Sequence, residues 1–317
     1  MAAVEPDITL PDLTGVRALV TGGNSGLGFA TAARLLGAGA DVVITARNPD
    51  KGAAALARLQ QTPNASEAGR GRVTLAALDL ANLGSIERLA DEIVGNGHPL
   101  DLLFNNAGVM AVPRRTLTDD GFELQFGTNH LGHFALTGRL LPALLRSDRA
   151  RVVTMSSIMH WFGRLDFDDL QSENHYNAWI VYARSKLANL MFAKEFARRS
   201  KANGWQIVSA AAHPGFSRTN LQSAGPNLGR AKPSALSKRM SSLPGMTQSA
   251  EAGALPELFA ATSPEVLGGD YFGPAGFLEL TGAPTFAHFA KRAETERPGA
   301  HLWAASENLT GVHFPTD

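Results

Sequence analysis

Two residues that could transfer a proton lie one helical turn apart in the segment Tyr182-Ala-Arg-Ser-Lys186. In a helix, this spacing places the phenol and the amine on one face. At about 5 Å and an effective dielectric constant near 20, the lysine charge favours tyrosinate by roughly 3 kcal/mol, which lowers the tyrosine pKa by about two units. Tyr182 could then act as a general acid or base near neutral pH. The alternative is an ordinary pair on a helix surface.

A glycine-rich turn near the N-terminus could hold a phosphate group. The segment Leu19-Val-Thr-Gly-Gly-Asn-Ser-Gly-Leu-Gly28 runs from an apolar strand, through spaced glycines, into the start of a helix. Gly22, Gly26 and Gly28 lack Cβ atoms where backbone N–H groups must come close to a ligand. Because many surface loops also carry three glycines, the elements around the turn must decide between the two interpretations.

The elements that position these residues alternate between strands and helices. Residues 41–46 read as a buried strand, and a strand, helix and strand over about 30 residues form the βαβ unit that binds a dinucleotide pyrophosphate. Further strands are predicted at 73–78, 100–104, 151–156, 206–212 and near Tyr271, with helices at about 50–61, 82–95, 120–146, 178–201 and 249–262. This order predicts an α/β fold with a single doubly wound parallel sheet, a Rossmann fold, with helices on both faces.

The pattern shows no break in composition, so we expect one oxidoreductase domain over residues 14–317 after an N-terminal extension at 1–13. Residues 216–247 are rich in Ser, Pro, Gly and basic side chains and are predicted to form a flap over the site. The tail at 276–317 is interrupted by Gly and Pro and is expected to pack on the outside of the domain.

The composition excludes several functional classes. The chain carries 29 Lys and Arg against 29 Asp and Glu, so no basic excess favours nucleic acid as a partner. It contains no cysteine, which excludes disulfides, thiolate catalysis and zinc–thiolate sites. Residues 1–14 do not resemble a signal peptide, and no run of about 18 apolar residues predicts a membrane span. We therefore expect a cytoplasmic protein.

Over residues 14–275, these motifs together resemble the short-chain dehydrogenase/reductase family. The matching positions, in the family's order, are 21–28, 79–80, 105–108, Asn129, Ser156-Ser157, Tyr182 with Lys186, and 213–215. The retinol-dehydrogenase-like and WW-domain-oxidoreductase-like branch is similar in Ser157 with His160, 167–171, Tyr176 and 185–189. Ser157 and Tyr182 are 25 residues apart, about twice the usual separation, and the loop at 158–177 accounts for the difference.

The resemblance implies four catalytic residues. Tyr182 would give a proton to a substrate carbonyl oxygen as hydride arrives, and Lys186 would lower the tyrosine pKa and bind the nicotinamide ribose. Ser157 would steady the same oxygen; it is preferred to Ser156 because neighbouring side chains on a strand face opposite ways. Asn129 would hold a water that connects Lys186 to solvent, unless it is only a polar residue on a helix surface.

The resemblance also implies a set of cofactor contacts. Asp79 would contact the adenine, the loop at 106–108 would line the adenosine and ribose, and His213 would orient a turn that lies against the nicotinamide. Capping of the loops is the alternative role for Asp79 and Asn106. The complete predicted set is Gly22, Asn24, Ser25, Gly26, Leu27, Gly28, Arg47, Asp79, Leu80, Asn106, Ala107, Gly108, Tyr182, Lys186, Pro214, Gly215 and Thr219.

Arg47 decides which dinucleotide is expected. It follows the second strand, where an acidic residue would bind the ribose 2′-hydroxyl in an enzyme that uses NAD. A cation at this position suits a 2′-phosphate instead, so the predicted cofactor is NADP(H), with NAD as the less favoured alternative. Ser25 stands in the glycine turn where the family often has an additional basic residue.

Several other residues leave alternatives open. His130 and His133 are three residues apart on a predicted helix, but no carboxylate accompanies them at ligand spacing, so packing or an interface is favoured over a metal site. His160 could line the substrate pocket or shape its loop. A group of apolar side chains near the long loop could form a substrate wall or part of the core: Met155, Met159, Trp161, Phe162 and Trp179.

The sequence thus predicts an NADP(H)-dependent oxidoreductase that transfers hydride between the nicotinamide and a carbonyl or alcohol of a small apolar substrate. One alternative is a ketoreductase that tailors a polycyclic or polyketide metabolite, and another is a non-catalytic protein that senses dinucleotides. The oligomeric state is open between monomer and homodimer, because the loop at 158–177 could block pairing of the predicted helices at 120–146 and 178–201.

Overall fold

A computed structural model describes residues 6–62, 71–218 and 247–315. Thr219 and most of the predicted flap lie outside these ranges. In the described part of the chain one sheet has the strand order β3-β2-β1-β4-β5-β6-β7-β8. Its strands are β1 Arg17–Val20, β2 Asp41–Ala46, β3 Val73–Ala77, β4 Leu102–Asn105, β5 Arg151–Met155, β6 Val208–Ala212, β7 Tyr271–Pro274 and β8 Pro284–Phe286.

The strands from β1 to β7 pair in parallel, which confirms the predicted doubly wound α/β fold. The last strand, β8, pairs antiparallel with β7 and was not predicted from the sequence. In the centre of the sheet, Val20 is in register with both Ile44 and Phe104, and all three are fully buried. Strands covered by helices on both faces are apolar throughout, which explains the continuous apolar runs.

Helices cover the two faces of the sheet. They are α1 Gly26–Gly37, α2 Pro49–Leu59, α3 Leu83–Gly95, α4 Leu124–Phe126, α5 Gly132–Leu144, α6 Ala178–Ala202, α7 Ala250–Thr262 and α8 Glu296–Thr310. Several of them begin with capping side chains; for example, Asn48 accepts a hydrogen bond from Lys51 N before α2, and Asn177 accepts from Trp179 N before α6. None of the helices within the described ranges is long and apolar enough to cross a membrane.

The predicted long helix at 120–146 begins at Leu124, and its hydrogen-bond pattern changes partway along. A π-helical segment, Gly127–Leu131, separates α4 from α5. Such segments shift the helical hydrogen-bond pattern by one residue and are frequent at functional sites. This one contains Asn129, and it therefore turns the predicted catalytic asparagine out of regular α-helical register.

The tail contributes more to the core than the sequence indicates. Trp303 of α8 is 1% exposed, and its ring lies 5.7 Å from that of Phe192 and 5.1 Å from that of Phe134. Phe314 packs on the same indole at 4.5 Å. Residues 296–315 thus cover α5 and α6 with a buried aromatic cluster.

Candidate active site

A cavity of about 320 Å³ opens at the carboxyl ends of β1, β2, β3 and β4. Most of the predicted cofactor residues line it. The lining residues are Gly22, Asn24, Ser25, Gly26, Leu27, Gly28, Thr45, Ala46, Arg47, Asn48, Lys51, Leu78, Asp79, Leu80, Asn106, Ala107, Gly108, Val109 and Thr128. The carboxyl edge of a parallel sheet, near the point where strand order reverses, is where ligands bind in such folds.

The glycine turn has a geometry that excludes side chains. Gly22 has a φ of 67°, in the left-handed region that favours glycine. A Cβ at Gly28 would lie 2.6 Å from the carbonyl oxygen of Gly22 and 2.5 Å from Asn106 Nδ2. The turn can therefore close tightly on the loop after β4 and leave the N-terminus of α1 open to a phosphate.

Thr21 joins this turn to the loop after β4. Its hydroxyl accepts hydrogen bonds from the backbone N–H groups of Asn106 at 2.9 Å and Ala107 at 3.0 Å. The Asn106 amide in turn donates to the Thr21 carbonyl oxygen at 2.8 Å. On the other side of the cavity, Asp79 accepts from Ala81 N at 3.0 Å, so this carboxylate caps its loop as well as lining the cavity.

The cavity carries two cations at the end of β2. Arg47 was predicted, whereas Lys51, which is exposed in the first turn of α2, was missed. The signal for Lys51 was present in the sequence, because Pro49 and Asn48 mark the start of a helix whose first turn would face the end of β2. A second cation therefore exists even though Ser25 replaces the basic residue in the glycine turn.

The predicted proton donor lies in a buried setting on α6. Tyr182 is 4% exposed, and burial raises the pKa of its phenol to about 12, although a hydrogen bond with Ser157 acts in the opposite direction. Burial also lowers the pKa of the Lys186 ammonium to about 8. The expected lowering of the tyrosine pKa is therefore not found.

The reason lies in the orientation of the lysine. Lys186 Nζ donates to the carbonyl oxygen of Met155 at 3.0 Å and lies 5.9 Å from the centroid of the Tyr182 ring. The loss of hydration of the phenol therefore outweighs the attraction of the cation. Asn189 donates to the same Met155 oxygen at 3.0 Å.

The two adjacent serines have different environments. Ser156 is 1% exposed, and its hydroxyl donates to the Lys186 carbonyl oxygen at 2.8 Å. Ser157 is half-buried, accepts from Met159 N at 3.2 Å and hydrogen-bonds with Tyr182. Of the two hydroxyls, that of Ser157 is thus placed beside the predicted proton donor.

Asn129 is joined to its surroundings through all of its side-chain polar atoms. Its amide nitrogen donates to the Val109 carbonyl oxygen and to Ser185 Oγ, both at 2.9 Å, and its amide oxygen accepts from Val109 N at 2.8 Å. Its own carbonyl oxygen accepts from His133 Nδ1 at 2.9 Å. The side chain thus connects the loop after β4 to α6.

The two histidines on this helix are buried among polar partners. His133 Nε2 lies 3.0 Å from the Thr21 hydroxyl, and burial lowers the pKa of His133 to about 4, so the ring is neutral and accepts there. His130 Nε2 lies 2.9 Å from Ser306 Oγ in α8. In the described ranges, no group of three His, Cys, Asp or Glu side chains could hold a metal ion.

His160 is bonded within the loop after β5 and to the segment after β8. Its Nδ1 donates to the Ser157 carbonyl oxygen at 2.7 Å, and its Nε2 accepts from Ala290 N at 3.3 Å. The predicted apolar wall divides in two: Met155 is buried, whereas Trp161, Phe162 and Trp179 are 43%, 64% and 37% exposed. These three aromatic side chains lie in the segment after Ser157 and in the first turn of α6.

The turn after β6 is held from several sides. The Pro214 carbonyl oxygen accepts from Gln248 Nε2 at 2.9 Å and from Ser217 Oγ at 2.6 Å. Gly215 has a φ of 57°, and a Cβ there would lie 2.3 Å from the Leu280 carbonyl oxygen. The loop between β7 and β8 therefore fits directly against this turn.

Comparisons with known proteins agree with this geometry. The family model described as short chain dehydrogenase matches residues 17–227. Retinol dehydrogenase 14 of Mus musculus is 39% identical over 307 residues, which cover 94% of this chain and 86% of the relative. The crystal structure of an uncharacterized protein from Mycobacterium paratuberculosis has a TM-score of 0.76 at 38% identity and covers 97% of both chains. The Pseudomonas aeruginosa RhlG/NADP active-site complex has a TM-score of 0.62 at 26% identity, covering 82% of this chain and 94% of that one.

The chain therefore belongs to the short-chain dehydrogenase family. Within it, the protein is an oxidoreductase of the retinol-dehydrogenase-like kind, as the motifs predicted. Enzymes of this family use a nicotinamide cofactor, which carries the hydride, and act on a small substrate.

Proposed function

We propose that the protein is an NADP(H)-dependent oxidoreductase that transfers hydride between the nicotinamide and a carbonyl or alcohol of an apolar substrate. One observation carries the proposal: Ser157, Tyr182 and Lys186 come together at the sheet edge that also bears the glycine-lined cavity. A phosphate-binding turn alone serves any dinucleotide-binding protein. A phenol, a hydroxyl and an ammonium group beside it are what an acid–base reaction requires.

The residues present fit the phosphorylated dinucleotide. The turn at Gly22 and Gly28 leaves room where a Cβ would collide with backbone or with Asn106, so the backbone N–H groups can approach a pyrophosphate. Arg47 and Lys51 stand together at the cavity, and two cations favour a 2′-phosphate over a hydroxyl. The Thr128 hydroxyl is buried in the cavity lining and finds no hydrogen-bond partner among the described residues, so it would bind a ligand atom.

The bound cofactor supplies or accepts the hydride, and the side chains handle the proton. With a pKa of about 12 before any ligand binds, Tyr182 holds its proton at neutral pH and can donate it to a carbonyl oxygen. Ser157 would hydrogen-bond the same oxygen and stabilise the charge that develops there. Lys186, released from Met155, would bring a positive charge toward the phenol and stabilise tyrosinate as the proton leaves.

The surroundings of Ser157 favour an apolar substrate. Trp161 and Phe162 follow it in the chain by four and five residues, Trp179 lies in the first turn of α6, and all three are exposed and offer flat apolar surfaces. Large exposed apolar side chains that gather near a site are typical of ligand-binding grooves. The similarity to retinol dehydrogenase 14, whose name refers to an apolar alcohol, supports the same interpretation.

The substitution Tyr182→Phe tests the proposal. It removes the donated proton and should lower kcat for NADPH-dependent reduction of an aldehyde or ketone by at least about a hundredfold. Tyr176→Phe is the matched control, since the Tyr176 hydroxyl donates to the Val112 carbonyl oxygen at 2.7 Å, and it should retain activity. Consumption of NADPH is followed by absorbance with a panel of aldehydes and ketones. Tight binding of NADPH without turnover of any of them would favour a dinucleotide sensor instead.

A further inference from the structure

His213 occupies a slot that fixes the orientation of its imidazole. The residue is fully buried directly after β6, and a Cβ on Gly273 of β7 would lie 1.9 Å from its Nε2. The centroid of the Tyr271 ring lies 5.3 Å from that of the imidazole. Only glycine at position 273 leaves room for the ring, so Gly273 and His213 fit together closely.

The hydrogen bonds of His213 define a single tautomer. Gly215 N donates to Nδ1 at 3.3 Å, which requires an unprotonated Nδ1. Nε2 must then carry the proton, and it donates to Glu279 Oε2 at 3.0 Å. The imidazole thus links the backbone of the turn after β6 to a carboxylate in the loop between β7 and β8.

Glu279 is held in place by further contacts. Its second oxygen accepts from His288 N at 2.8 Å and lies 2.7 Å from His288 Nδ1. Burial alone would raise the carboxyl pKa, but the hydrogen bonds from His213 and His288 hold the pKa of Glu279 at about 2. The carboxylate is therefore ionised at neutral pH and accepts from His213.

The backbone around Glu279 is strained. Glu279 has a φ of 56° and Leu278 a φ of 50°, and residues other than glycine rarely adopt this backbone conformation. Such a backbone conformation costs free energy and persists only where many surrounding contacts hold it in place. Strain of this kind is common at functional sites. The next residue, Leu280, accepts from Phe216 N at 2.8 Å, so the strained segment also contacts the turn through its backbone.

We propose that Glu279 is a positioning residue for the nicotinamide half of the cofactor. Acting through His213, it sets the conformation of the Pro214-Gly215 turn and touches neither cofactor nor substrate itself. This inference rests on the proposed function and on the expectation, implied by the family resemblance, that this turn lies against the nicotinamide. It differs from a general structural role because it predicts an effect on one end of the dinucleotide only.

The experiment compares two ligands in binding calorimetry: NADPH, and 2′,5′-ADP, which lacks the nicotinamide. Glu279→Ala should weaken binding of NADPH by about tenfold, since a buried donor loses its acceptor, and leave binding of 2′,5′-ADP within about twofold. Glu279→Gln keeps the size and an acceptor oxygen and should show a smaller loss, which covers the case in which the alanine variant does not fold. Glu265→Gln, at an exposed glutamate after α7, should bind both ligands as the wild type does.

Equal weakening of both ligands, or no weakening of either, would overturn the inference. Nitrogen NMR of the histidines in the cofactor-free protein gives a second readout, because the wild type should show His213 protonated at Nε2 alone. A His213 protonated at Nδ1 would also overturn it. Failure of the proposed function looks different: the wild-type protein itself would not bind NADPH, and the inference would then fall with it.

Discussion

The two halves of the candidate site are built in different ways. In the cofactor half, residues 17–62 and 71–108, binding depends on backbone groups of a short turn, and its glycines lie within seven residues of one another. In the substrate half, residues 151–218 and 247–290, the positions depend on side chains far apart in the chain: His160 contacts a residue 130 positions away, and His213 one 66 positions away. The glycine turn of the first half is therefore encoded locally, whereas the contacts of the second half depend on the completed fold.

This difference predicts that a single methyl group suffices to disable the cofactor half. Gly28→Ala places a Cβ 2.6 Å from the Gly22 carbonyl oxygen and should weaken NADPH binding by more than about a hundredfold, or roughly 3 kcal/mol. Gly37→Ala is the matched control, because a Cβ there meets nothing within 4 Å in the described part of the chain. Binding calorimetry measures both. If Gly28→Ala bound NADPH with an affinity near that of the wild type, the proposed dependence of the cofactor half on its glycine turn would be wrong.

A buried acid in the substrate half, bonded to the cofactor half, makes the stability of the protein depend on pH. Glu257 of α7 accepts from the Thr31 hydroxyl in α1, and burial raises its pKa from 4.5 to about 7. Because the folded protein binds this proton more tightly, its contribution is complete below about pH 4.5 and is lost as the pH rises through 7. In Glu257→Gln, the fall in unfolding free energy between pH 5 and 8 should be smaller by up to about 3 kcal/mol. Urea unfolding at several pH values measures this difference, and parallel curves for wild type and variant would contradict it.

The two cations at the end of β2 should determine which dinucleotide binds. Replacing Arg47 and Lys51 together by serine should reduce the preference for NADPH over NADH by about twentyfold, since charge-assisted hydrogen bonds to the 2′-phosphate are lost. The ratio of kcat/KM for the two cofactors measures this, and Lys201→Ala, at an exposed lysine near the end of α6, is the control. An unchanged ratio would assign the 2′-phosphate contact elsewhere.

The smallest expected effect lies in the substrate half. His160→Gln loosens the bond to the Ser157 backbone and should lower kcat/KM for the carbonyl substrate by about fivefold while leaving the affinity for NADPH unchanged. The exposed His98→Gln serves as the control in the same steady-state assay. A parallel loss of NADPH affinity would show that the two halves are not independent.

The same difference explains what the sequence could predict. The glycine turn, Arg47 and the Tyr182–Lys186 pair follow from spacing within one or two elements, so their placement was predictable. Lys51 could also have been predicted, since the cap at Asn48 fixes the first turn of its helix. The hydrogen bond that His213 donates to Glu279 could not be predicted, because no local pattern indicates which residue contacts a histidine in the folded protein.

The pKa of Tyr182 teaches a related lesson. Spacing along a helix predicts that a lysine is near, but the result depends on where its ammonium group points and on how much water the phenol loses. Here Met155 holds the ammonium and burial dominates. Neither the direction of the ammonium group nor the burial of the phenol can be derived from spacing alone.

The aromatic cluster around Trp303 also constrains the order in which the chain can fold. The indole fills a space between Phe134 and Phe192, so the core on this side of the sheet is incomplete until the segment containing α8 has been synthesised. During translation, about a hundred residues are added between the end of α6, the helix that carries Tyr182, and Trp303. Until then, the apolar face of α6 that Trp303 covers is exposed. The aromatic core beside α6 is thus completed only after α8 has been synthesised.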